Sequence, residues 1–312
     1  MATKLDISQL DFDGIKDNLK TFLSQQDEFT DYDFEGSGMN VLLDVLAYNT
    51  HYLGYNANML ANEMYLDSAD QRSSVVSLAK QVGYTSRSAV SSRATIDVVV
   101  NNASGASLTM ERGTKFTTTV RETNYSFIAN ADVSISPQDG VYKFSNLDVY
   151  EGTYLNYKYT ANTTDTDQRF IIPNNNVDTT TLTVTVQESS SDSTTNTYTL
   201  ASGVVGLDST SKVYFLQEVE NGRFEVYFGD GVIGQAIADG NIVILDYITC
   251  NRDEPNGASA FTLSGTVNGF SNVTITTIKT ASDGDAPETI KSIKYNAPRD
   301  YSAQDRAVTA ED

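Results

Sequence analysis

The feature that most constrains how this chain can fold is a long stretch with apolar residues at helical spacing and without proline or cationic side chains. No lysine or arginine occurs between Lys20 and Arg72. Apolar residues recur there at intervals of three and four, which is typical of one face of a helix. Ser37 is a suitable N-cap, and Gly54 is expected to cost about 1 kcal/mol relative to alanine and to permit a close crossing or a bend. We interpret the stripe as an assembly surface.

The composition excludes several classes of protein. The chain has 312 residues and a formal net charge of −20 without a basic stripe, so neither nucleic acid nor an anionic membrane is an expected partner. Cys250 and His51 are the only residues of their kinds, which argues against an internal disulfide, a cysteine zinc site or a multi-histidine metal site. We expect no cofactor. No secretory pattern or membrane-length apolar run is found, so we expect a soluble protein made in a cytoplasm.

Two shorter helices are expected on either side of the long one. The first is predicted over residues 13–26, with Asp11 or Asp13 as its N-cap. The third is predicted to begin at a capping-box pattern from Ser68 to Gln71 and to end at Gly83 in the left-handed conformation. The inward side chains are predicted to be Ile15, Leu19, Phe22 and Leu23 in the first helix, and Val75, Val76, Leu78, Ala79 and Val82 in the third.

The apolar period changes at Arg93 from helical spacing to alternation. Short segments rich in threonine, tyrosine and valine then recur to about residue 280, with a turn signal about every ten residues, which predicts antiparallel strands. Residues 188–197 predict a polar loop or hairpin tip. The predicted fold class is therefore α+β and multi-domain, with an N-terminal helical unit, a mainly antiparallel β region and the start of a C-terminal segment.

The predicted domain bounds are 1–88 for a helical assembly domain, 93–280 for a mainly β domain, and 281–312 for the start of a further segment. Residues 86–93 are interpreted as a serine-rich linker. In the last segment a helix is expected to start at Pro287, and Pro298 is expected to break it. Because the chain stops without a terminating feature, we expect this segment to be truncated.

One glycine pattern suggests a cofactor site. Gly229, Gly231 and Gly234 form G-x-G-x-x-G after a strand, but a dinucleotide site needs a helix to begin at the last glycines. A strand follows soon after, so we favour a glycine turn between antiparallel strands.

Other chemistry-bearing residues have simpler explanations. His51 lies in the middle of a helix without a serine or cysteine placed to pair with it, and Cys250 is explained as a small buried hydrophobe. Three acidic pairs match no calcium-loop pattern and are interpreted as solvated turn residues. These pairs are Asp31 with Asp33, Asp165 with Asp167, and Asp283 with Asp285. We therefore predict that the chain is not an enzyme.

Several segments resemble one family, in the same order along the chain. They are residues 28–52, 72–76, 111–116, 224–234, 256–261, 295–299 and 307–312. The first, EFTDYDFEGSGMNVLLDVLAYNTHY, is the most specific. It resembles the N-terminal region of the baseplate wedge proteins of T-even-type contractile-tailed phages, which are members of the baseplate J-like group. Residues 141–211 carry no motif that can be matched.

The resemblance implies a structural component of the virion tail baseplate, assembled in the host cytoplasm. Proteins of this family dimerise and link into a ring that joins the wedges around the tail hub and helps to trigger sheath contraction. The implied partners are a second copy and other wedge subunits, including the sheath-nucleating subunit. The family's C-terminal dimerisation domain is not recognised here, so either the chain is a fragment or the ring is closed differently.

The resemblance and the helix stripe together predict an interface. The acidic turn before the helix is expected to be a contact strip, and the helix is expected to join a shared bundle in which Asn49 and Asn56 set the register. The predicted interface residues are Asp31, Tyr32, Asp33, Phe34, Glu35, Leu42, Val45, Leu46, Asn49, Tyr52, Leu53, Asn56 and Leu60.

An alternative class is a β-rich tail adhesin or glycan-binding module with a helical oligomerisation stalk. The tyrosines Tyr150, Tyr154, Tyr157 and Tyr159 are suited to line a sugar site. Alternating tyrosines on a strand explain them equally simply.

Overall fold

The computed structural model describes residues 11–26, 28, 32–165, 168–201, 203–204 and 206–303. They divide into two compact units. The helical unit contains the described residues up to Tyr84 together with Ile290–Ala303, and the strand unit lies within Thr85–Thr289. The predicted α+β fold class is confirmed. The domain bounds given above stay a prediction.

Capping side chains explain where the first two helices begin. The described helices are α1 (Phe12–Leu23), α2 (Gly38–Glu63), α3 (Arg72–Gln81) and α4 (Ile290–Ala303). The Asp11 carboxylate accepts a hydrogen bond from the Gly14 amide at 2.7 Å, and the Ser37 hydroxyl accepts one from the Asn40 amide at 3.0 Å. Each bond satisfies an amide that a helix start leaves unpaired, so both predicted N-caps are confirmed.

The capping box predicted at the start of α3 is wrong. The helix begins after Gln71, whose side chain makes no capping bond. The Ser68 hydroxyl instead donates to the Asn62 carbonyl oxygen at 2.6 Å, because free carbonyl groups at the end of α2 lie within its reach. The Glu63 carboxylate instead holds the residues just before α3, since it accepts from the Asp70 amide at 2.9 Å and from the Gln71 amide at 3.3 Å.

The other predicted helix ends have mixed outcomes. Gly83 follows α3 with φ of +84°, as predicted. α1 ends at Leu23, and Phe22 is 61% exposed rather than inward, because the buried contact of α1 is made about two turns earlier, at Ile15. Pro298 does not break a helix but lies inside α4. Packing against α3 outweighs its lost hydrogen bond. The buried core of the helical unit is Ala69, Val75, Val76, Ala79, Ile293 and Ala297.

The strand unit consists mainly of two antiparallel sheets. Its described strands are β1 (Arg93–Val100), β2 (Leu108–Met110), β3 (Lys115–Val120), β4 (Thr123–Ala129), β5 (Val133–Ile135), β6 (Tyr142–Glu151), β7 (Thr153–Thr160), β8 (Phe170–Ile171), β9 (Val177–Gln187), β10 (Thr195–Leu200), β11 (Val213–Glu218), β12 (Phe224–Phe228), β13 (Ile242–Thr249), β14 (Thr262–Ser264) and β15 (Val273–Ser282). One sheet has the order β14-β3-β4-β6-β1-β15, the other β7-β13-β9-β10-β11-β12-β8, and β2 pairs with β5. Only β10 and β11 pair in parallel among these strands.

The alternation of apolar residues predicted along β1 matches the burial of its residues in the structure. Its residues are half-buried and buried in turn over the whole strand, with Ile96, Val98 and Val100 inward. Fully burying such a side chain contributes about 1.5–3 kcal/mol, so the alternation sets which face of the sheet meets the core. The second sheet has its own core, which includes Val184, Val226, Leu245 and Tyr247. The predicted hairpin tip is found between β9 and β10.

The serine-rich segment predicted as a linker is instead part of the interior of the strand unit. The Ser86 hydroxyl donates to the Glu218 carboxylate, and the Ser91 amide donates to the Asp178 carboxylate at 2.8 Å. Serine composition suggests a linker, but a small polar side chain also fits beside buried carboxylates, which need donors. Four serines of this segment are at most 4% exposed: Ser86, Ser88, Ser91 and Ser92.

The two ends of the strand unit pair with each other. Val90 and Asp285 exchange backbone hydrogen bonds of 3.0 and 3.1 Å. The Glu288 amide donates to the Arg87 carbonyl oxygen at 3.0 Å, and the Arg87 amide donates to the Glu288 carboxylate at 3.1 Å. The chain therefore enters and leaves this unit at one place.

Arg112, which follows β2, joins parts of the unit that lie far apart in sequence. Its guanidinium donates to the Thr183 hydroxyl at 3.3 Å and to the Thr181 carbonyl oxygen at 3.2 Å, both in β9. It also donates to the Asn130 side chain at 3.1 Å, and it lies 4.8 Å from the ring centre of Tyr154 in β7. The end of β4 is thus tied to the seven-stranded sheet.

We expect Arg112→Ala to lower the free energy of unfolding by about 2–4 kcal/mol, because it leaves part-buried acceptors without a donor and removes the stacked stem. Arg112→Lys keeps the charge and a long aliphatic chain but lacks the planar guanidinium, so we expect it to restore less than half of the free energy of unfolding lost in Arg112→Ala. Urea unfolding followed by circular dichroism measures both. Wild-type stability of Arg112→Ala, or wild-type stability of Arg112→Lys, would contradict the conclusion that the Arg112 guanidinium joins these strands.

Candidate assembly interface

α2 uses a narrow part of its surface to contact the rest of the helical unit. Its buried residues are Asn40, Leu43 and Ala47, spaced by three and four positions, and the helix packs against α1, whose buried residue is Ile15. The Asn40 side chain also donates to the Glu35 carbonyl oxygen at 3.2 Å, which holds the preceding turn against the helix. In the described chain no residue of α2 after Ala47 is buried.

The opposite side of α2 is a continuous exposed apolar surface. At 3.6 residues per turn, the six large apolar residues of the predicted interface fall within about one third of the helix circumference, facing away from the buried residues. Each is between 52% and 64% exposed. Asn49 and Asn56 are exposed within the same arc. We name the six residues the α2 apolar face: Leu42, Val45, Leu46, Tyr52, Leu53 and Leu60.

The sequence pattern missed part of this surface. The Tyr48 ring lies 5.6 Å from the Tyr52 ring and helps to line a groove of about 460 Å³ with Val45, Leu46 and Asn49. A pattern with a single apolar stripe does not include apolar residues on the other sides of the same helix. The many tyrosines in this helix were the sequence signal that could have indicated these additional residues. The additional exposed residues, between 56% and 64%, are Val41, Tyr48, Tyr55 and Tyr65.

The acidic turn before α2 is exposed, and a lysine of α1 lies near one of its carboxylates. Tyr32 is half-buried, and Asp33, Phe34 and Glu35 are exposed. Asp31 lies outside the described residues. α1 supplies cations that the sequence stretch itself lacks, since Lys20 Nζ lies 3.4 Å from Asp33 and Lys16 Nζ lies 2.5 Å from Asp44. The spacing of the two lysines by four residues, which places them on one side of α1, could have shown this.

One carboxylate at the end of α2 has a shifted pKa. Burial would raise the pKa of Glu63, but hydrogen bonds from Ser74, Asp70 and Gln71 lower it below the usual value. Glu63 therefore stays ionised at neutral pH and fixes the connection from α2 to α3. The predicted interface is thus carried by a helix whose far end is tied to a well-packed core.

The other candidate residues are separated from one another. The next described element after Gly234 is the strand β13, so no helix begins at these glycines. The Asp230 carboxylate accepts from the amides of Val232 at 2.9 Å and Ile233 at 3.0 Å, which closes a turn. The turn is confirmed, but the strands on either side of it, β12 and β13, are not neighbours in the sheet. Within the described residues no group of three or more histidine, cysteine or acidic side chains is placed to hold a metal. None of the described helices is long and apolar enough to cross a membrane.

Two of the four tyrosines considered for a sugar site have their hydroxyl groups engaged within the fold. The Tyr154 hydroxyl donates to Asp246 at 2.6 Å, and the Tyr159 hydroxyl donates to the Ile171 carbonyl oxygen at 2.6 Å. Burial is the largest cause of their raised pKa values, to about 12 for Tyr154. Tyr157 is 40% exposed and Tyr150 is half-buried. This arrangement does not present four free hydroxyl groups to a ligand.

Comparison with known proteins gives two family matches. A model described as baseplate wedge protein gp6-like, helical domain, matches residues 11–84, and one described as bacteriophage baseplate wedge protein gp6, third domain, matches residues 157–255. The second match covers most of the region 141–211, for which the sequence offered no motif.

Two individual proteins are similar over most of the chain. The baseplate wedge protein gp6 of Enterobacteria phage T4 is 30% identical over 331 aligned positions, which cover 96% of this chain and 48% of that protein. The chain therefore spans about half the length of this relative. A cryo-electron microscopy structure of the anti-feeding prophage baseplate covers 95% of this chain and 61% of the matched chain, at 11% identity and a TM-score of 0.34, which is too low to support an argument.

The α+β fold exposes large apolar side chains along one helix, which places the chain in the class of proteins with a surface of the kind that marks protein contacts. The two family matches and the similarity across 96% of the chain specify it further. The chain belongs to the gp6-like baseplate wedge proteins.

Proposed function

We propose that this chain is a structural component of a contractile phage tail baseplate wedge. In this proposal it self-associates and links wedges into the inner baseplate ring that controls sheath contraction. Its partners are a second copy of itself and other wedge subunits, including the sheath-nucleating subunit. The observation that carries the proposal is the α2 apolar face, because six large apolar side chains more than half exposed on one helix need a protein surface to cover them.

The geometry supports a helical bundle as the form of the contact. α2 has 26 residues, is held at its start by α1, and is tied at its end through Glu63. Covering each exposed leucine contributes about 1 kcal/mol or more. Asn49 and Asn56 lie among the apolar residues, where a polar side chain favours one helix register over others.

The mechanism in this proposal is mechanical. The strand unit acts as a stiff spacer, since its sheets have separate packed cores and Arg112 ties strands together. Packed interfaces have discrete arrangements and do not deform continuously, so a small shift in the helical bundle can move a ring as a unit.

An image of the assembled particle tests the proposal. The chain is fused to a small fluorescent or antibody tag and located in averaged electron cryo-tomograms of tails. We expect the tag in an inner ring that surrounds the hub. Its location at the tip of a fibre would instead support the adhesin alternative and would contradict the wedge role.

A further inference from the structure

A polar cleft in the strand unit is unrelated to the α2 apolar face. It has a volume of about 350 Å³ and lies where the end of β6, the start of β7 and the residues after β13 meet. A water molecule takes about 30 Å³, so the cleft has room for the end of a long side chain. Among the residues that line it are Glu151, Cys250, Asn251 and Tyr125.

Glu151 is the charged residue in the lining of this cleft, and it is 1% exposed. Its carboxylate accepts hydrogen bonds from the Asn251 amide at 2.8 Å and from the Asn251 side chain at 2.7 Å. Both donors are neutral. A carboxylate has about four acceptor positions, so these bonds leave room for further donors.

The surroundings of Glu151 supply no positive charge. The other residues that line the cleft are neutral at pH 7, and burial raises the pKa of the Cys250 thiol and of the Tyr125 hydroxyl, which keeps both protonated. The Tyr125 hydroxyl donates to Glu254 at 3.3 Å, which adds a second carboxylate beside the cleft. No ion pair to Glu151 is found in the described chain, and burial raises the pKa of its carboxyl group although the Asn251 hydrogen bonds oppose this. A cation in the cleft would therefore stabilise the ionised carboxylate, which is costly to bury unless it is paired.

We propose that this cleft receives the cationic end of an arginine or lysine side chain from a partner protein. A guanidinium fits best, because its fork of donors can bind one carboxylate through two hydrogen bonds. This inference depends on the proposed function in one respect: the partner protein is taken to be another subunit of the same assembly.

The experiment uses the isolated chain, so its outcome does not depend on assembly or on the α2 apolar face. The side-chain amide signal of Asn251, which reports on Glu151 directly, is followed in ¹⁵N-labelled protein during titration with Nα-acetyl-arginine methylamide. We expect a saturable shift. The citrulline counterpart has the same shape without the charge, and we expect it to bind at least about tenfold more weakly.

Two controls separate this site from general effects of charge. Glu151→Gln keeps the size of the side chain and is expected to abolish the shift, whereas Glu218→Gln, at another buried glutamate, is expected to leave it unchanged. The proposal is overturned if potassium chloride at equal concentration produces the same shift, if citrulline matches arginine, or if neither ligand has an effect. The first two comparisons need only the wild-type chain.

Discussion

Leu46→Asp is expected to prevent association of the helical unit with its partners, with a loss of affinity of at least about 100-fold, or roughly 3 kcal/mol. Leu46 belongs to the α2 apolar face and is 52% exposed. Covering this position would bury a carboxylate that has no cation nearby on α2, and removing a charge from water without a partner costs several kcal/mol. The chain itself should fold, because aspartate reduces helix propensity by only about 0.5 kcal/mol.

Sedimentation velocity of the purified chain and of the chain co-expressed with its partner subunits measures this effect. Leu200→Asp is the matched control, since Leu200 is 53% exposed but lies in β10 of the strand unit. We expect this control to assemble normally. Both variants should keep the circular dichroism spectrum of the wild type. Normal assembly of Leu46→Asp would show that the α2 apolar face is not an interface.

Gly152→Ala is expected to lower the free energy of unfolding by about 3–6 kcal/mol, which is enough to unfold many domains. Gly152 joins β6 to β7 with φ of +135°, a conformation that other residues rarely adopt. A β-carbon there would lie 2.2 Å from the Thr249 carbonyl oxygen and 2.6 Å from the Ile248 side chain. Since the first of these atoms is backbone, β13 would have to move.

Gly105→Ala separates backbone strain from the clash. Gly105 has φ of +131°, close to that of Gly152, but its added β-carbon would meet nothing nearer than the Ser107 carbonyl oxygen at 3.6 Å. We expect this control to cost about 1–3 kcal/mol from strain alone. Equal losses in the two variants, measured by urea unfolding, would mean that the close approach to β13 has no energetic consequence.

Features that depend on local periodicity could be predicted from the sequence. The stripe of α2, the alternation in β1 and the caps at Asp11 and Ser37 each involve residues within a few positions of one another. For the same reason the exposed face of α2 could be identified as a candidate interface. The sequence could not show whether another part of the chain covers that face, because this depends on which side of α2 is occupied by α1.

Features that depend on distant contacts could not be predicted. Arg112 is about 70 positions from Thr181 and Thr183 in sequence, so nothing in its local pattern indicates their contact. Residues 86–92 have a linker composition, but their burial follows from Glu218 and Asp178, which lie far along the chain. Pro298 was expected to end a helix on local rules, and packing against α3 overrides that preference.

The paired ends of the strand unit determine how a pull on the chain is carried. Val90 bonds to Asp285 and Arg87 bonds to Glu288, while the Ser86 hydroxyl bonds to Glu218 in β11. Tension applied at residues 85 and 289 therefore acts on these few bonds, one of which reaches the seven-stranded sheet, before it acts on most of the hydrogen bonds within the sheets. Because the paired segments are pulled apart from one end, their bonds would break one after another and not all together.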